Sequence, residues 1–153
     1  SVTGVAWNQH FSFLAGALSG PGLYANYTVT ESETELPGRD GDFDIPDQSK
    51  DMGNAALSYE KYGFSGRVAL NYHGSYYEEI GAEAEDDANI DDHTQVDVSA
   101  SYQLLPRLEL FTEVVNVTNE PLRVYSGDED RPIQKEYSSW GGHVGVKLSD
   151  LSF

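Results

Sequence analysis

The stretch His93–Pro121, HTQVDVSASYQLLPRLELFTEVVNVTNEP, alternates greasy and wet residues on both sides of a short break. Val96, Val98, Ala100, Tyr102 and Leu104 interleave with Asp97, Ser99, Ser101 and Gln103. A period of two puts the first set on one face of a β-strand and the second on the other. Leu105-Pro106-Arg107 turns the chain, because proline donates nothing to a central ladder. The next strand offers Leu108, Leu110, Thr112 and Val114 on one face, Glu109 and Glu113 on the other. What the greasy face touches, a protein core or lipid, sets the fold class.

Bulk properties narrow the choice. With 26 acidic and 9 basic residues in 153, the net charge is -17. Nucleic acid is excluded as a partner, since its phosphates require Lys and Arg. The absence of cysteine excludes a disulfide scaffold and a thiolate metal site. No apolar run reaches the ~18 residues of a membrane helix, but a barrel strand needs only about ten alternating residues.

Taken in order, Val5–Phe13 reads as a first strand, Leu14–Gly22 as a breaker-rich turn, and Leu23–Thr30 as a second strand whose polar alternation runs on toward Leu36. Residues 37–50 form a loop, Asn54–Glu60 a strand, Lys61-Tyr62-Gly63 a tight turn, and Phe64–Tyr77 a long strand. Residues 78–92 form a strongly acidic loop. The strand from Leu108 is expected to continue through Leu122–Tyr125, residues 126–132 to form another acidic loop, and Gln134–Leu148 the last strand. Brief turns at Gly63 and Pro106 thus alternate with long acidic loops. An outer-membrane meander has that rhythm, with short periplasmic turns and longer outer loops. Tyr72, Tyr76, Tyr77, Tyr102, Tyr125, Tyr137 and Trp140 fall near strand ends, where aromatic girdles stand.

A family resemblance rests on these residues. Val114-Val115-Asn116-Val117-Thr118-Asn119-Glu120-Pro121 resembles the V-x-N-L-T-N/D-x-P stretch near the end of TonB-dependent receptors, the gated outer-membrane barrels of Gram-negative bacteria. Asn54–Glu60 followed by Phe64–Tyr72 is similar to a hairpin those receptors place upstream, and Arg131-Pro132, Tyr137 and Gly145–Leu148 resemble their final strand. The resemblance implies an all-β, antiparallel up-and-down meander of about seven strands, part of a barrel of the roughly 22-stranded type. It further implies that residues 1–153 are the C-terminal portion of the barrel domain, with the plug domain and the N-terminal strands outside it. Phe153 is then the terminal aromatic that barrel-assembly machinery recognises. Leu151 and Phe153 stand on the parity opposite to Val144, Val146 and Leu148, so either a bulge at Ser149-Asp150 restores the face or the last residues leave the barrel wall.

The same resemblance implies active uptake of a scarce nutrient, energised through the TonB system: a ferric siderophore or other metal chelate, a saccharide, or cobalamin. Outer-membrane lipid, lipopolysaccharide and the plug are the implied partners, in the cell outer membrane. No covalent chemistry is required of the barrel. The residues agree: no G-x-S-x-G elbow joins Ser, His and Asp, and His10, His73, His93 and His143 are scattered without metal-ligand spacing. We therefore expect no enzyme, no catalytic residue and no resident cofactor. Substrate-loop candidates are Arg39, Asp40, Asp42 and Asp44; Glu83, Glu85, Asp86 and Asp87; and Asp128, Glu129 and Asp130. Asp40, Asp42 and Asp44 lack the Gly and Glu of an EF-hand, with Ile45 and Asp51 in those places, which leaves loop-bound Ca²⁺ or Mg²⁺ open. Lumen-facing candidates are Arg67, Asn71, His73, Asp97, Glu109, Glu113, His143 and Lys147. Two rivals remain at this point: a passive outer-membrane channel, and a soluble acidic β-sandwich whose Val96–Leu104 face packs on a second sheet.

Overall fold

The computed structural model describes residues 1–35, 41–128 and 130–149. Alternation decides nearly everything. In chain order the strands are β1 (Val2–His10), β2 (Pro21–Thr30), β3 (Thr34–Glu35), β4 (Asp42–Phe43), β5 (Asp51–Lys61), β6 (Phe64–His73), β7 (Tyr76–Glu79), β8 (Ala88–Ile90), β9 (His93–Leu105), β10 (Leu108–Val115), β11 (Leu122–Ser126), β12 (Pro132–Glu136) and β13 (Gly141–Leu148). Short 3-10 turns occupy Gly16–Ser19 and Ala84–Asp86. Seven strands make one antiparallel sheet in the order β1-β2-β5-β6-β9-β10-β13, each beside its predecessor. This is the expected up-and-down meander. β1 and β13 are its two edges, so the barrel is not closed by these strands.

Cross-strand register carries each face over the whole sheet. One row reads Trp7, Ala25, Ala55, Leu70, Val96, and the next Gln9, Leu23, Leu57, Val68, Val98, Val114. The opposite face carries the row Asn26, Asn54, Asn71, Gln95 and the row Ser58, Arg67, Ser99, Glu113, His143. A one-residue slip at any ladder would mix the two faces. Among the described residues no second sheet packs on the apolar one. Leu57 is 57% exposed, Val68 45% and Val144 81%. Large aliphatic side chains left open across several strands mark an interaction surface. The sandwich rival fails on this point.

Two tight turns close the short-connection end. Tyr62 and Gly63 both have positive φ, 56° and 76°, as the two central residues of a hairpin turn that matches strand twist. Pro106-Arg107 joins β9 to β10, and Ser149 N–H still donates to Arg107 O at 3.1 Å. The expected bulge and the terminal Phe153 involve residues outside the described ones.

At the other end the strand expectations need correction. The stretch 64–77 is not one strand: it breaks at Gly74, whose N–H donates to Asp51 O at 2.8 Å while its carbonyl accepts from Ser49 Oγ at 2.8 Å. A Cβ there would lie 2.1 Å from Asp51 Oδ1, so any other residue would force the Asp51 carboxylate, which accepts from the Tyr27 hydroxyl, to move. Likewise β10 stops at Val115 and does not continue into β11. The expected last strand is split into β12 and β13 around Ser139 (φ 31°). The first strand starts at Val2 and ends at His10 instead of running from Val5 to Phe13. The released pieces β7, β8, β11 and β12 form a second, four-stranded sheet in the order β12-β11-β8-β7. Acidic residues 78–92 are therefore partly strand. β8 pairs with β7 on one side and β11 on the other.

The aromatic belts are real but composed differently. Tyr27 and Tyr72 share a row at the long-connection end, both registered on Gly53. At the other end Tyr59, Phe64 and Tyr102 gather on the same face, with the Tyr59 and Phe64 rings 6.1 Å apart. Phe64 to Tyr72 spans about 26 Å of strand at ~3.3 Å per residue. With the usual tilt of about 35–45° this is about 20 Å along the barrel axis, somewhat short of an apolar band of about 25 Å. Tyr76, Tyr77 and Tyr125, expected in the girdle, belong instead to the second sheet.

Candidate functional site

Two regions bear the polar chemistry: the hydrophilic face of the main sheet and the layer that caps its long-connection end. On the face, register does what parity predicted. Arg67, Asn71, Asp97, Glu109, Glu113, His143 and Lys147 all stand on it, and Arg67, Asn71, Asp97, Ser99 and Glu113 line one shallow depression. Polar side chains pair directly across β10 and β13. His143 Nε2 lies 3.6 Å from Glu113 Oε2, and Lys147 Nζ 3.9 Å from Glu109 Oε2. Asn54 Nδ2 donates to Asn26 Oδ1 at 3.0 Å. Phe111 breaks the polar pattern. Its ring lies edge-on to His143 at 5.7 Å, over the space that Gly145 leaves vacant.

Asp97 does more than face inward. Its Oδ1 accepts from Gln95 Nε2 at 2.8 Å and from Asn116 N–H at 2.9 Å, and its Oδ2 from Asn71 Nδ2 at 3.4 Å. The acid thereby ties β6, β9 and the end of β10 together. Asn116 is the other half of the junction. It is 5% exposed and holds φ at 52°, a conformation that asparagine tolerates better than most residues. Its Oδ1 accepts from Glu120 N–H at 2.9 Å, and its Nδ2 donates to Glu120 O at 3.2 Å. Asn119 repeats the left-handed conformation at φ 53°. The motif Asn116–Pro121 is thus a clip that turns the chain out of the main sheet and into the second one. The motif was visible in the sequence; its backbone role was not.

The histidines are less scattered than their spacing suggests. His73 and His93 are register partners across β6 and β9, with rings stacked 5.4 Å apart, and Tyr76 stands 6.0 Å from His73. Both Nδ1 atoms are buried and make no hydrogen bond. Among the described residues no three His, Asp or Glu side chains converge as cation ligands.

The capping layer unites the loop candidates. Ser126 Oγ donates to Glu85 O at 2.7 Å, Gly127 N–H to Asp87 O at 2.9 Å, and Arg131 Nη1 reaches Glu85 Oε2 at 3.5 Å. Asp87 is only 4% exposed and its Oδ1 accepts from Gly81 N–H at 2.9 Å, so it holds the loop rather than facing solvent. Asp86 closes the 3-10 turn that Glu83 precedes. Asp128 accepts from Asp130 N–H at 3.1 Å. The first long connection joins through Asp47 N–H, which donates to Tyr77 O at 2.8 Å. Asp44 is held by Lys50 at 2.7 Å, a hydrogen bond that raises the Lys50 pKa despite its partial burial. Burial, then Asp47 and Glu78, raise the Tyr76 pKa. Arg39, Asp40 and Glu129 lie outside the described residues, as does the side chain of Asp42. Asp91–Arg123, 3.7 Å apart, is an added pair that spacing did not reveal.

A consecutive meander, apolar and uncovered on one face and polar on the other, is the wall of a transmembrane β-barrel. Residues 2–117 match the family described as TonB dependent receptor-like, beta-barrel. The chain belongs to that family, whose members are outer-membrane receptors and transporters and not enzymes. No curated protein and no solved structure matches the chain.

Proposed function

We propose that this chain forms barrel wall and outer loops of a TonB-energised uptake receptor in the outer membrane of a Gram-negative bacterium. The observation that carries the reading is the separation of the two sheet faces within a family barrel. The face bearing Leu57, Val68 and Val146 meets lipid, and the face bearing Arg67, Asn71, Asp97, Glu113 and His143 looks into the lumen. Short turns then sit at the periplasmic end and the capping layer outside. Lumenal carboxylates paired with His143 and Lys147 offer hydrogen-bonding groups to a plug domain and to water. We place residues 1–153 in the C-terminal portion of the barrel domain.

The capping layer is the candidate substrate platform. Its carboxylates outnumber its basic side chains, so it repels anionic chelates and favours neutral or cationic cargo unless divalent cations bridge them. A nutrient metal complex, a saccharide or cobalamin fits the family, and charge favours the members of that set that carry no net negative charge. The test is accumulation of labelled substrates from each class, in cells with and without a working TonB system. TonB-dependent uptake that disappears when residues 78–92 are replaced by a short turn supports the reading. Equal uptake without TonB would identify a passive channel.

A further inference from the structure

We infer that the connection between β1 and β2 is a membrane-interface foot, an apolar element that seats in the headgroup boundary of the bilayer at the short-turn end. The inference rests on the barrel reading above and adds a lipid contact outside the strands. Phe11 extends the β1 ladder, its N–H donating to Pro21 O at 3.0 Å, and so keeps the parity of Val5 and Trp7 on the apolar face. Leu14 N–H donates to Phe11 O at 3.0 Å, which starts a compact return, and the Phe11 and Phe13 rings sit 6.0 Å apart.

The return folds over the apolar side of the sheet, not the polar one. A Cβ on Gly20 would stand 2.9 Å from the Tyr59 ring and 3.1 Å from Lys61 Cβ, and both those side chains project from the apolar face of β5. Glu60 N–H donates to Gly20 O at 2.9 Å, and Lys61 Nζ reaches back to Gly16 O and Ser19 Oγ. These bonds fix the 3-10 turn beside Tyr59 and Phe64, the lower aromatic belt. Yet the fixed segment leaves Phe13 72%, Leu14 39% and Leu18 64% exposed. A short connection held in place by hydrogen bonds, continuous with the lipid face and bare of charge from Phe11 to Gly22, matches an amphipathic interface and not an aqueous turn. Lys61 sits where a snorkelling cation belongs, with its stem along the belt and its ammonium on backbone carbonyl and hydroxyl oxygens.

The chain has no cysteine, so single substitutions Phe13→Cys, Leu18→Cys and Val68→Cys each place one nitroxide label within it. In the full-length receptor reconstituted in phospholipid vesicles, collision with lipid-soluble oxygen is compared with collision with an aqueous nickel chelate. Oxygen prevailing at Phe13 and Leu18, at shallower depth than at Val68, supports the foot. Nickel prevailing at both while Val68 stays lipid-exposed overturns it and leaves the barrel reading standing. Exclusion of both reagents at Phe13 and Leu18 also overturns it, by assigning the segment to a protein partner. Nickel prevailing at Val68 as well defeats the barrel reading itself.

Discussion

Replacing Asn116 by alanine tests how the wall ends and the outer layer begins. The substitution removes the acceptor of Glu120 N–H at 2.9 Å and the donor to Glu120 O at 3.2 Å, in a site only 5% exposed. A buried polar group left unpaired costs about 1–3 kcal/mol. Alanine must also hold a left-handed φ of 52°, which adds about 1 kcal/mol. The junction should thus loosen by about 2–4 kcal/mol. At ~1.4 kcal/mol per tenfold, that is a rise of about 30- to 700-fold in the open population. Local opening of this kind is read by backbone hydrogen exchange in the full-length receptor, over peptides covering residues 115–122. Glycine at 116 removes the same hydrogen bonds without the φ penalty, so Asn116→Gly should exchange about fivefold more slowly than Asn116→Ala. Wild-type exchange rates in both variants would refute the reasoning, since among the described residues Asn116 supplies the hydrogen bonds that hold Glu120. Equal, fast exchange would refute only the strain component.

Other outcomes follow from the same geometry. Val68→Arg should cost the folded barrel about 2–4 kcal/mol if Val68 lies near the bilayer midplane, whereas Ser99→Arg on the polar face should cost far less; urea titration in lipid vesicles separates the two. Asp97→Ala should speed backbone exchange at Asn116, whose N–H its carboxylate accepts, and release the Gln95 side-chain amide, while Asp97→Asn should retain part of the protection. The raised Lys50 pKa means that its pair with Asp44 contributes below the ordinary lysine pKa of about 10.4 and is lost as pH climbs past the higher folded value. Protease nicking of residues 41–50 should hence be flat from neutral to pH 9 and rise only in strong alkali. Glu85 and Arg131 are both exposed, and a double-mutant cycle on them should return no more than about 1 kcal/mol.

Much of this architecture can be read from residues alone because period two is a local code. Val96, Val98 and Ala100 against Asp97 and Ser99 assign faces without any tertiary information. Their pairing to Leu70, Val68 and Gly66 then follows from keeping greasy rows continuous. The tight turn at Tyr62-Gly63 and the break at Pro106 are equally local. The grouping of Arg67, Asn71, Asp97 and Glu113 on one face is local for the same reason.

The long connections could not be read in this way. Tyr76 and Tyr77 look like an extension of β6, and Leu122–Tyr125 like an extension of β10, because alternation persists through both. Whether a strand continues depends on whether its neighbour continues beside it, and that is a non-local fact. β6 ends where Gly74 N–H turns to Asp51 O, and β10 ends where the Asn116 side chain binds Glu120. His73 and His93, twenty positions apart and unremarkable in sequence, meet only because β6 and β9 pair in that register. Composition and alternation therefore determined an acidic, antiparallel, two-faced meander, and left open whether its apolar face meets lipid or a protein core. Tertiary structure alone decided that its loops gather into a second sheet, since the hydrogen bonds that gather them join residues far apart in the chain.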